Sequence, residues 1–526
     1  MSSSGRDVLK QTSPNVVFVE LTNHCNMHCT FCPSELLKRK RQHIDDEALK
    51  NFLGQLHRMN ISPPILLNVL GEPMLNKRLI EYLDWFEESG HAVTLITNMT
   101  LLGKKDFSRE ILRHNNVTLA LSLQTATKES YRMRGYPQLR FKEFFGLIYD
   151  LIEMKFQLES SVRLEIHIAS NYVVSHDSTI QSDSDFDLWK NFEDEESESK
   201  WIRDFLKKID KFRKKMAGKY PDFLAREEDL ALNKYKDHIG TKIAVSEKGL
   251  PSDFHRLKDE LFWGYMFLPN VFLVFKALEL WTRDLDFLKW ALPEDRYIYV
   301  EERSESRECI MTDNLGILAN GDLILCCLDY EGEMNLGNIR DIELNDFLSS
   351  ERRAEIRRDA MSEALCRRCK GNVFIFDTSP LKEAQQTIDK FGRGWEAYES
   401  QLYETGGRWT TGKASAYVLN RIQGEVIDLS FFSEMADDTP IQMKISVHEE
   451  ASNIFAEQAS EVFYGRQGEK SSHAVEFFFK PFKLYRIEII SPIFIPDNIS
   501  GNGDKRELGI AVFELTLRRG AKKEIQ

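Results

Sequence analysis

The sequence predicts an α/β fold of parallel strands under covering helices, followed by a separate all-β region. Three observations carry this. Over roughly the first 170 residues, short apolar runs alternate with amphipathic helical patterns, as βα units require. Near residues 315–327 two apolar runs flank Asn320-Gly321, a strong hairpin signal. Beyond about residue 400 the period falls to two, with turn signals between runs, which reads as a sandwich.

The elements follow in order. "VVFVELT" (16–22) reads as a strand, and "DDEALKNFLGQL" (45–56) as an amphipathic helix whose acidic first turn suits the helix dipole. "ILLNVLGEP" (65–73) is the second strand. "LIEYLDWFEESG" (79–90) is a helix stopped by Gly90. "AVTLITN" (92–98) and "VTLALSLQ" (117–124) are strands, "FKEFFGLIYDLIEMK" (141–155) a helix, and "VRLEIHIASN" (162–171) the fifth strand. Chemistry in such folds sits at the C-terminal strand ends. There the sequence places three cysteines, then Glu72, then Asn98, then Ser122 and Gln124. On one face of the fifth strand it places Glu165, His167 and Asn171.

Bulk properties narrow the possibilities. A chain of 526 residues suggests three to four domains at roughly 150 residues each. A formal net charge of -13 argues against a nucleic-acid binder, which shows a basic face. The amino-terminal "MSSSGRDVLKQTSPN" has no apolar core of an export signal. The run "LFWGYMFLPNVFLVF" (261–275) is broken by Pro269 and Asn270, too short to span a membrane, and reads as two buried helices. A cytoplasmic, reducing location without disulfides is the expectation.

The eight cysteines fall into two groups. Cys25, Cys29 and Cys32 are spaced C-x3-C-x2-C. Three close thiolates suit a cubane iron–sulfur cluster with one iron left open. The alternative is a zinc knuckle with His24 or His28 as fourth ligand, since structural zinc takes four donors. Cys309, Cys326, Cys327, Cys366 and Cys369 form the second group, enough to close a second cluster or a zinc with one thiol to spare. Adjacent strand residues face opposite ways, so one of Cys326 and Cys327 ligates.

The Cys25/Cys29/Cys32 pattern, with Phe31 before the last cysteine, resembles the signature of radical SAM enzymes. "LGEP" resembles their GGEP motif, with Leu70 where glycine is usual; "ITN" and "LSLQTATKESYRMRG" resemble their third- and fourth-strand segments. The resemblance implies a partial (βα)6 TIM-like barrel whose [4Fe-4S] cluster binds S-adenosyl-L-methionine (SAM) at its open iron. By carry-over Phe31, Gly71, Glu72, Asn98, Ser122 and Arg134 would contact SAM: Glu72 its amino group, Ser122 and Arg134 its ribose and carboxylate, Asn98 its nucleoside. An acid for an ammonium and an arginine for a carboxylate match the ligand's charges. "ANGDLILCC", "LGNIRD" and "LCRRCKGN" resemble the twitch or SPASM extension of these enzymes. That implies one auxiliary [4Fe-4S] cluster on Cys309, Cys326, Cys366 and Cys369, the Gly321-x4-Cys326 spacing favouring Cys326. Cys327 would then be a structural thiol or a hydrogen-atom donor.

The sequence divides into a barrel (1–180, first five βα units), a mostly helical insertion with the last barrel strand (181–300), the SPASM/twitch domain (301–380) and a β-sandwich (400–526). The sixth strand is expected at 241–246 or 296–302. Trp201, Phe205, Ile209, Phe212 and Met216 mark an amphipathic helix in the insertion. "GGRWTTGKAS" (406–415) and "GDKRELGIAVFELTL" (503–517) resemble a sandwich domain of some bacterial surface-glycan biosynthesis enzymes, and Trp409 is either an exposed sugar-stacking residue or, the commoner case, a core tryptophan. The expected function is a radical SAM oxidoreductase, a dehydrogenase or epimerase. It would act on a sugar, aminocyclitol or glycan in surface polysaccharide biosynthesis, with Glu165 or His167 as base (the alternative being a hydrogen-bonded pair in the barrel interior) and a flavodoxin- or ferredoxin-type reductant as partner. The alternatives are a peptide-modifying maturase and a non-enzymatic, metal-stabilised glycan-binding module.

Overall fold

The computed structural model describes residues 13–170, 180–182, 192, 195–234, 239–242, 255–257, 263–277, 285–292, 295–383, 385–396, 407–422, 426–433, 441–451, 454–465, 470–477, 479–496 and 504–519. The chain divides into two compact units. The first takes Met1–Asp177, Phe186–Leu292 and Glu302–Gly371; the second takes Ser178–Asp185, Pro293–Glu301 and Asn372–Gln526.

The first unit is built on strands β1 (Val17–Val19), β2 (Ile65–Leu67), β3 (Val93–Thr97), β4 (Val117–Gln124) and β5 (Arg163–Ser170), with helices α1 (Asp46–Arg58), α2 (Leu79–Glu88), α3 (Lys105–Ile111) and α4 (Phe141–Gln157) between them. The strands are parallel and lie in chain order, and a sixth, Val271–Ala277, pairs parallel with β5. This is the strand order of a partial (βα)6 barrel. Neither expected position holds that strand. Within 241–246 only Thr241 and Lys242 are described, in a short strand at the far antiparallel edge of the sheet, and Arg296–Glu301 belongs to a different three-stranded sheet. The sixth strand is the apolar run read as helices. Its Val- and Phe-rich segments are strand formers, and Pro269-Asn270, with Asn270 at φ 57°, turns Trp263–Leu268 back onto Val271–Ala277 as an antiparallel hairpin.

Period-two alternation sorts the strand residues by face. Val17, Leu67, Leu95, Leu119, Leu121, Leu164, Ile166 and Leu273 are buried in one core with the apolar stripes of α1, α2 and α4. Helix α5 (Glu195–Lys219) joins this core through Phe205, Leu206 and Ile209. Phe205 meets Phe145 edge-on with ring centres 5.8 Å apart, and Phe212 meets Tyr149 at 5.1 Å. Trp201 stacks on Phe205 and donates its indole N–H to the Ala126 carbonyl at 2.8 Å. The amphipathic helix is therefore the barrel helix between β5 and the sixth strand, packed on α4. Among the described residues no helix is long and apolar enough to cross a membrane.

The cysteine-rich segment returns to the barrel. Strand Leu315–Ile317 pairs parallel with β1 and antiparallel with Leu323–Ile324, extending the sheet past β1. Gly321, at φ 92°, makes the hairpin turn. Asn51 on α1 donates to the Ile339 carbonyl at 2.8 Å, and Gln55 donates to that of Ile342 at 3.3 Å, so this segment also docks along α1.

The second unit contains two five-stranded antiparallel sheets. Met443, Ile445 and Val447 of Ile441–Ala451 enter their shared core with Ile427, Phe431 and Leu515. The three-stranded sheet of Ile180–Ser182, Arg296–Glu301 and Asn372–Asp377 belongs to the same unit. Its Glu301 is buried and accepts from Tyr417 Oη at 2.8 Å and Asn372 Nδ2 at 2.8 Å. Trp409 is no exposed platform: it is 5% exposed and packs on Phe494, Leu508 and Ala511. Truncating Phe205 to alanine is expected to cost the first unit about 3–5 kcal/mol, measured by urea denaturation followed through tryptophan fluorescence.

Candidate active site

The loop after β1 carries Cys25, Cys29 and Cys32. Its backbone is folded on itself by the Cys32 amide donating to the Cys29 carbonyl at 3.1 Å, and it is pinned to the fourth-strand segment by Thr30 N donating to Met133 O at 2.9 Å. The second-strand loop presses on it from the other side. Glu72 N donates to the His24 carbonyl at 2.8 Å. Gly71, at φ 84°, lies so close that a Cβ there would sit 2.2 Å from the Thr22 carbonyl oxygen and 2.9 Å from Asn23 Cα. Only glycine fits this conformation and approach. Gly135 does the same beside His28, where a Cβ would meet the carbonyl oxygen at 2.3 Å. His28 itself pairs with Glu35 at 2.9 Å, on the surface.

Burial pushes all three thiols up, Cys25 to about 11 and Cys32 to about 12; Cys29 also rises, although the Arg134 charge opposes it. Thiols in such a site become thiolates only against a metal's positive charge. Among the described residues no three Cys, His, Asp or Glu side chains converge on a single ion. A cubane does not ask for that, because each thiolate takes a separate iron.

Glu72 is 1% exposed. Its carboxylate accepts from Met74 N and Thr97 Oγ1, each at 2.9 Å, and from Asn98 N. Burial outweighs these donors and lifts its pKa to about 7, so a cation is needed beside it to hold it ionised. Asn98 Nδ2 reaches Cys25 Sγ at 3.7 Å and donates to Asn26 Oδ1 at 2.8 Å. Arg134 is buried with its Nε unpartnered, and its guanidinium lies 5.7 Å from the centre of the Phe31 ring. A buried guanidinium with an unused N–H, beside three thiols, is built for an anionic partner. Ser122 accepts from Gln124 Nε2 at 3.1 Å, at a bulge where Gln124 takes φ 56°.

On the barrel face opposite the helices, β5 presents Arg163, Glu165 and His167. Glu165 forms an ion pair with Arg163, Nε lying 2.7 Å away, and a hydrogen bond with His167 Nε2 at 2.8 Å. Burial opposes ionisation of Glu165, but the His167 hydrogen bond and the charges of Arg163 and Lys276 outweigh it and bring the carboxyl to about 2. Burial and Lys276 bring His167 down to about 4. The pair is thus a carboxylate and a neutral imidazole whose Nε2–H donates to it. His167 stands in register with Ser122 on β4. Asn171 lies outside the described residues.

The second cysteine group also comes together. Burial pushes the Cys366 thiol up, and the neighbouring Cys369, Cys309 and Cys326 thiols push it further. Cys366 and Cys369 lie one turn apart on the short helix Ala364–Cys369. Cys326 and Cys327 follow the strand, which ends at Ile324. Both sit in the turn, and the alternation of a strand does not sort them.

Comparison with known proteins bears on the same two segments. Residues 19–163 match the family model of the radical SAM superfamily, and residues 309–370 match that of SPASM, an iron–sulfur cluster-binding domain. The chain carries a radical SAM domain and a SPASM domain. Similar solved structures include BtrN in complex with AdoMet and 2-DOIA, at 14% identity over 67% of this chain and 91% of that one, TM-score 0.31. Streptococcus suis SuiB bound to S-adenosylmethionine shares 15% identity over 66% of this chain and 68% of that one, TM-score 0.36. The CBM36-1 domain of a multidomain xylanase, from the hindgut metagenome of Trinervitermes trinervoides, shares 12% identity over 26% of this chain and 98% of that one, TM-score 0.17. No curated protein matches.

The radical SAM domain brings SAM and a [4Fe-4S] cluster, and the SPASM domain brings auxiliary iron–sulfur chemistry. The residues fit both: half-buried thiols in two groups, the unused Nε of Arg134, and the glycine cradle at Gly71. Two site-forming residues were not singled out from sequence, Glu20 and Arg39. Their signal was present, since a glutamate inside the apolar run "VVFVELT" must find a buried partner. Gly71→Ala is expected to weaken SAM binding at least tenfold, read by equilibrium dialysis on reconstituted protein. Below pH 7 affinity for SAM is expected to fall about tenfold per unit as Glu72 takes up a proton, because the ammonium needs the carboxylate. Glu72→Gln is expected to bind weakly with a flat profile.

Proposed function

We propose that this radical SAM enzyme oxidises or epimerises a carbinol carbon of a sugar, aminocyclitol or glycan, in surface polysaccharide biosynthesis. The observation that carries the reading is the buried Glu165–His167 pair on the barrel's inner face, flanked by Arg163 and Lys276 and in register with Ser122. Such a lining offers charged and neutral hydrogen-bonding groups to a polyhydroxylated substrate. When bound, SAM and its cluster would supply the chemistry of hydrogen-atom abstraction from the substrate, and the auxiliary cluster would supply an electron acceptor.

This chain's own residues do the rest. Glu72 holds the amino group of SAM, Arg134 and Ser122 its carboxylate and ribose, and Asn98 and Phe31 line the nucleoside. Cys25, Cys29 and Cys32 hold the first cluster; Cys309, Cys326, Cys366 and Cys369 hold the second, leaving Cys327 as the spare thiol. His167, neutral and oriented by Glu165, receives the hydroxyl proton at Nδ1 as the carbinol becomes a carbonyl. The sandwich's resemblance to glycan-enzyme domains points the same way, and a flavodoxin or ferredoxin delivers the priming electron.

The test is anaerobic turnover with SAM and dithionite. Sugar nucleotides or glycans are expected to trigger 5′-deoxyadenosine release above the substrate-free rate; triggering by a peptide alone would overturn the sugar assignment. His167→Asn is expected to lower kcat by about 10²–10⁴ while 5′-deoxyadenosine still forms. Cys326→Ala is expected to lose about four irons that Cys327→Ala retains, counted by iron analysis after reconstitution.

A further inference from the structure

Glu20 is fully buried at the end of β1, five residues before Cys25. Its carboxylate takes both nitrogens of the Arg39 fork, at 3.1 and 3.0 Å. It also accepts from the Ala319 amide at 2.9 Å, in the hairpin that leads to Cys326, and from the Leu70 amide at 3.4 Å, next to Gly71 and Glu72. Arg39, seven residues after Cys32, donates from Nε to the Tyr330 carbonyl at 2.6 Å, and its amide donates to Glu331 at 3.1 Å. One ion pair therefore ties the loop of the first cluster, the Glu72 loop and the turn of the second cysteine group.

The space between the two cysteine groups is apolar. Leu70 packs with Phe18, Leu318, Ile324 and Tyr330, and Cys32 and Cys327 both lie against this same cluster. Leucine at position 70 is thus explained: it fills the partition that the ion pair frames. A buried bidentate pair with two further amide donors is costly to break and rigid when whole.

We propose that the Glu20–Arg39 pair is a positioning element that couples the SAM site to the SPASM domain. Ordering of the Glu72 loop by SAM is passed through the Leu70 and Ala319 amides to the 315–332 segment. Glu20 touches neither SAM nor iron; it acts through the loops it joins.

The experiment uses the full chain, reconstituted without air, with hydrogen–deuterium exchange read on peptides covering 315–332. Adding SAM to wild type is expected to slow exchange there at least threefold. Glu20→Gln is expected to lose that protection and to bind SAM about tenfold more weakly, the binding measured separately by equilibrium dialysis. Arg39→Lys, which keeps the charge but not the fork, is expected to fall between. A second readout is the EPR spectrum of the auxiliary cluster in a Cys25→Ala/Cys29→Ala/Cys32→Ala background, which Glu20→Gln is expected to shift; a merely structural role would lower the melting temperature and leave the spectrum alone. Wild-type exchange at 315–332 that ignores bound SAM overturns the proposal, even if neither variant folds. So does a folded Glu20→Gln protein with wild-type protection.

Discussion

The constraint behind this architecture is the cost of placing ionised sulfur where water is scarce. Burial raises the thiols of Cys25, Cys29, Cys32 and Cys366, and a thiolate in such a place is stable only against metal charge. The fold must therefore gather the sulfurs, keep solvent off them and still leave a way in for a charged nucleoside. It does so with backbone rather than side chains: Gly71 and Gly135 let neighbouring segments close on the cysteine loop at distances no Cβ would permit.

The same economy shapes the barrel interior. Strand residues facing α1, α2, α4 and α5 are nearly all aliphatic, while the opposite face turns from Phe18 on β1 to Thr118, Ser122, Glu165 and His167 on β4 and β5. Polarity is thus concentrated on one side of the barrel, and its groups are paired: Glu165 with both Arg163 and His167. Burial and the Lys276 charge keep the histidine neutral against the pull of Glu165, and the pairing fixes which nitrogen carries the proton, so a buried charge cluster becomes a directed one.

Much of this was legible in the residues. The first five strands, α1, α2, α4 and the cysteine spacing are local signals, and each stands close to where the pattern put it. The sixth strand was missed because its run has no alternation: Val271, Leu273 and Phe275 lie in the core under α5, while Phe272 and Val274 are buried on the other face with Met266. A strand buried on both faces reads like a helix segment. Of the two readings for Trp409 the core one holds, although glycine- and threonine-rich flanks conceal the long-range contacts with Phe494 and Leu508 that bury it. A glutamate inside an apolar run signals that Glu20 needs a buried partner, but the contacts of the Glu20–Arg39 pair with Ala319 and Tyr330 lie some 300 residues away, which no local pattern reveals.

The pairing of Leu315–Ile317 with β1 has a consequence for how the chain is made. During synthesis β1 emerges some 300 residues ahead of the neighbour that covers its outer edge. Until then the ribosome-bound polypeptide displays an unpaired apolar edge, the kind of template that recruits other nascent chains. Completion of the amino-terminal sheet is therefore a late event in biogenesis. A ribosome stalled between these two points would leave that edge without its native cover.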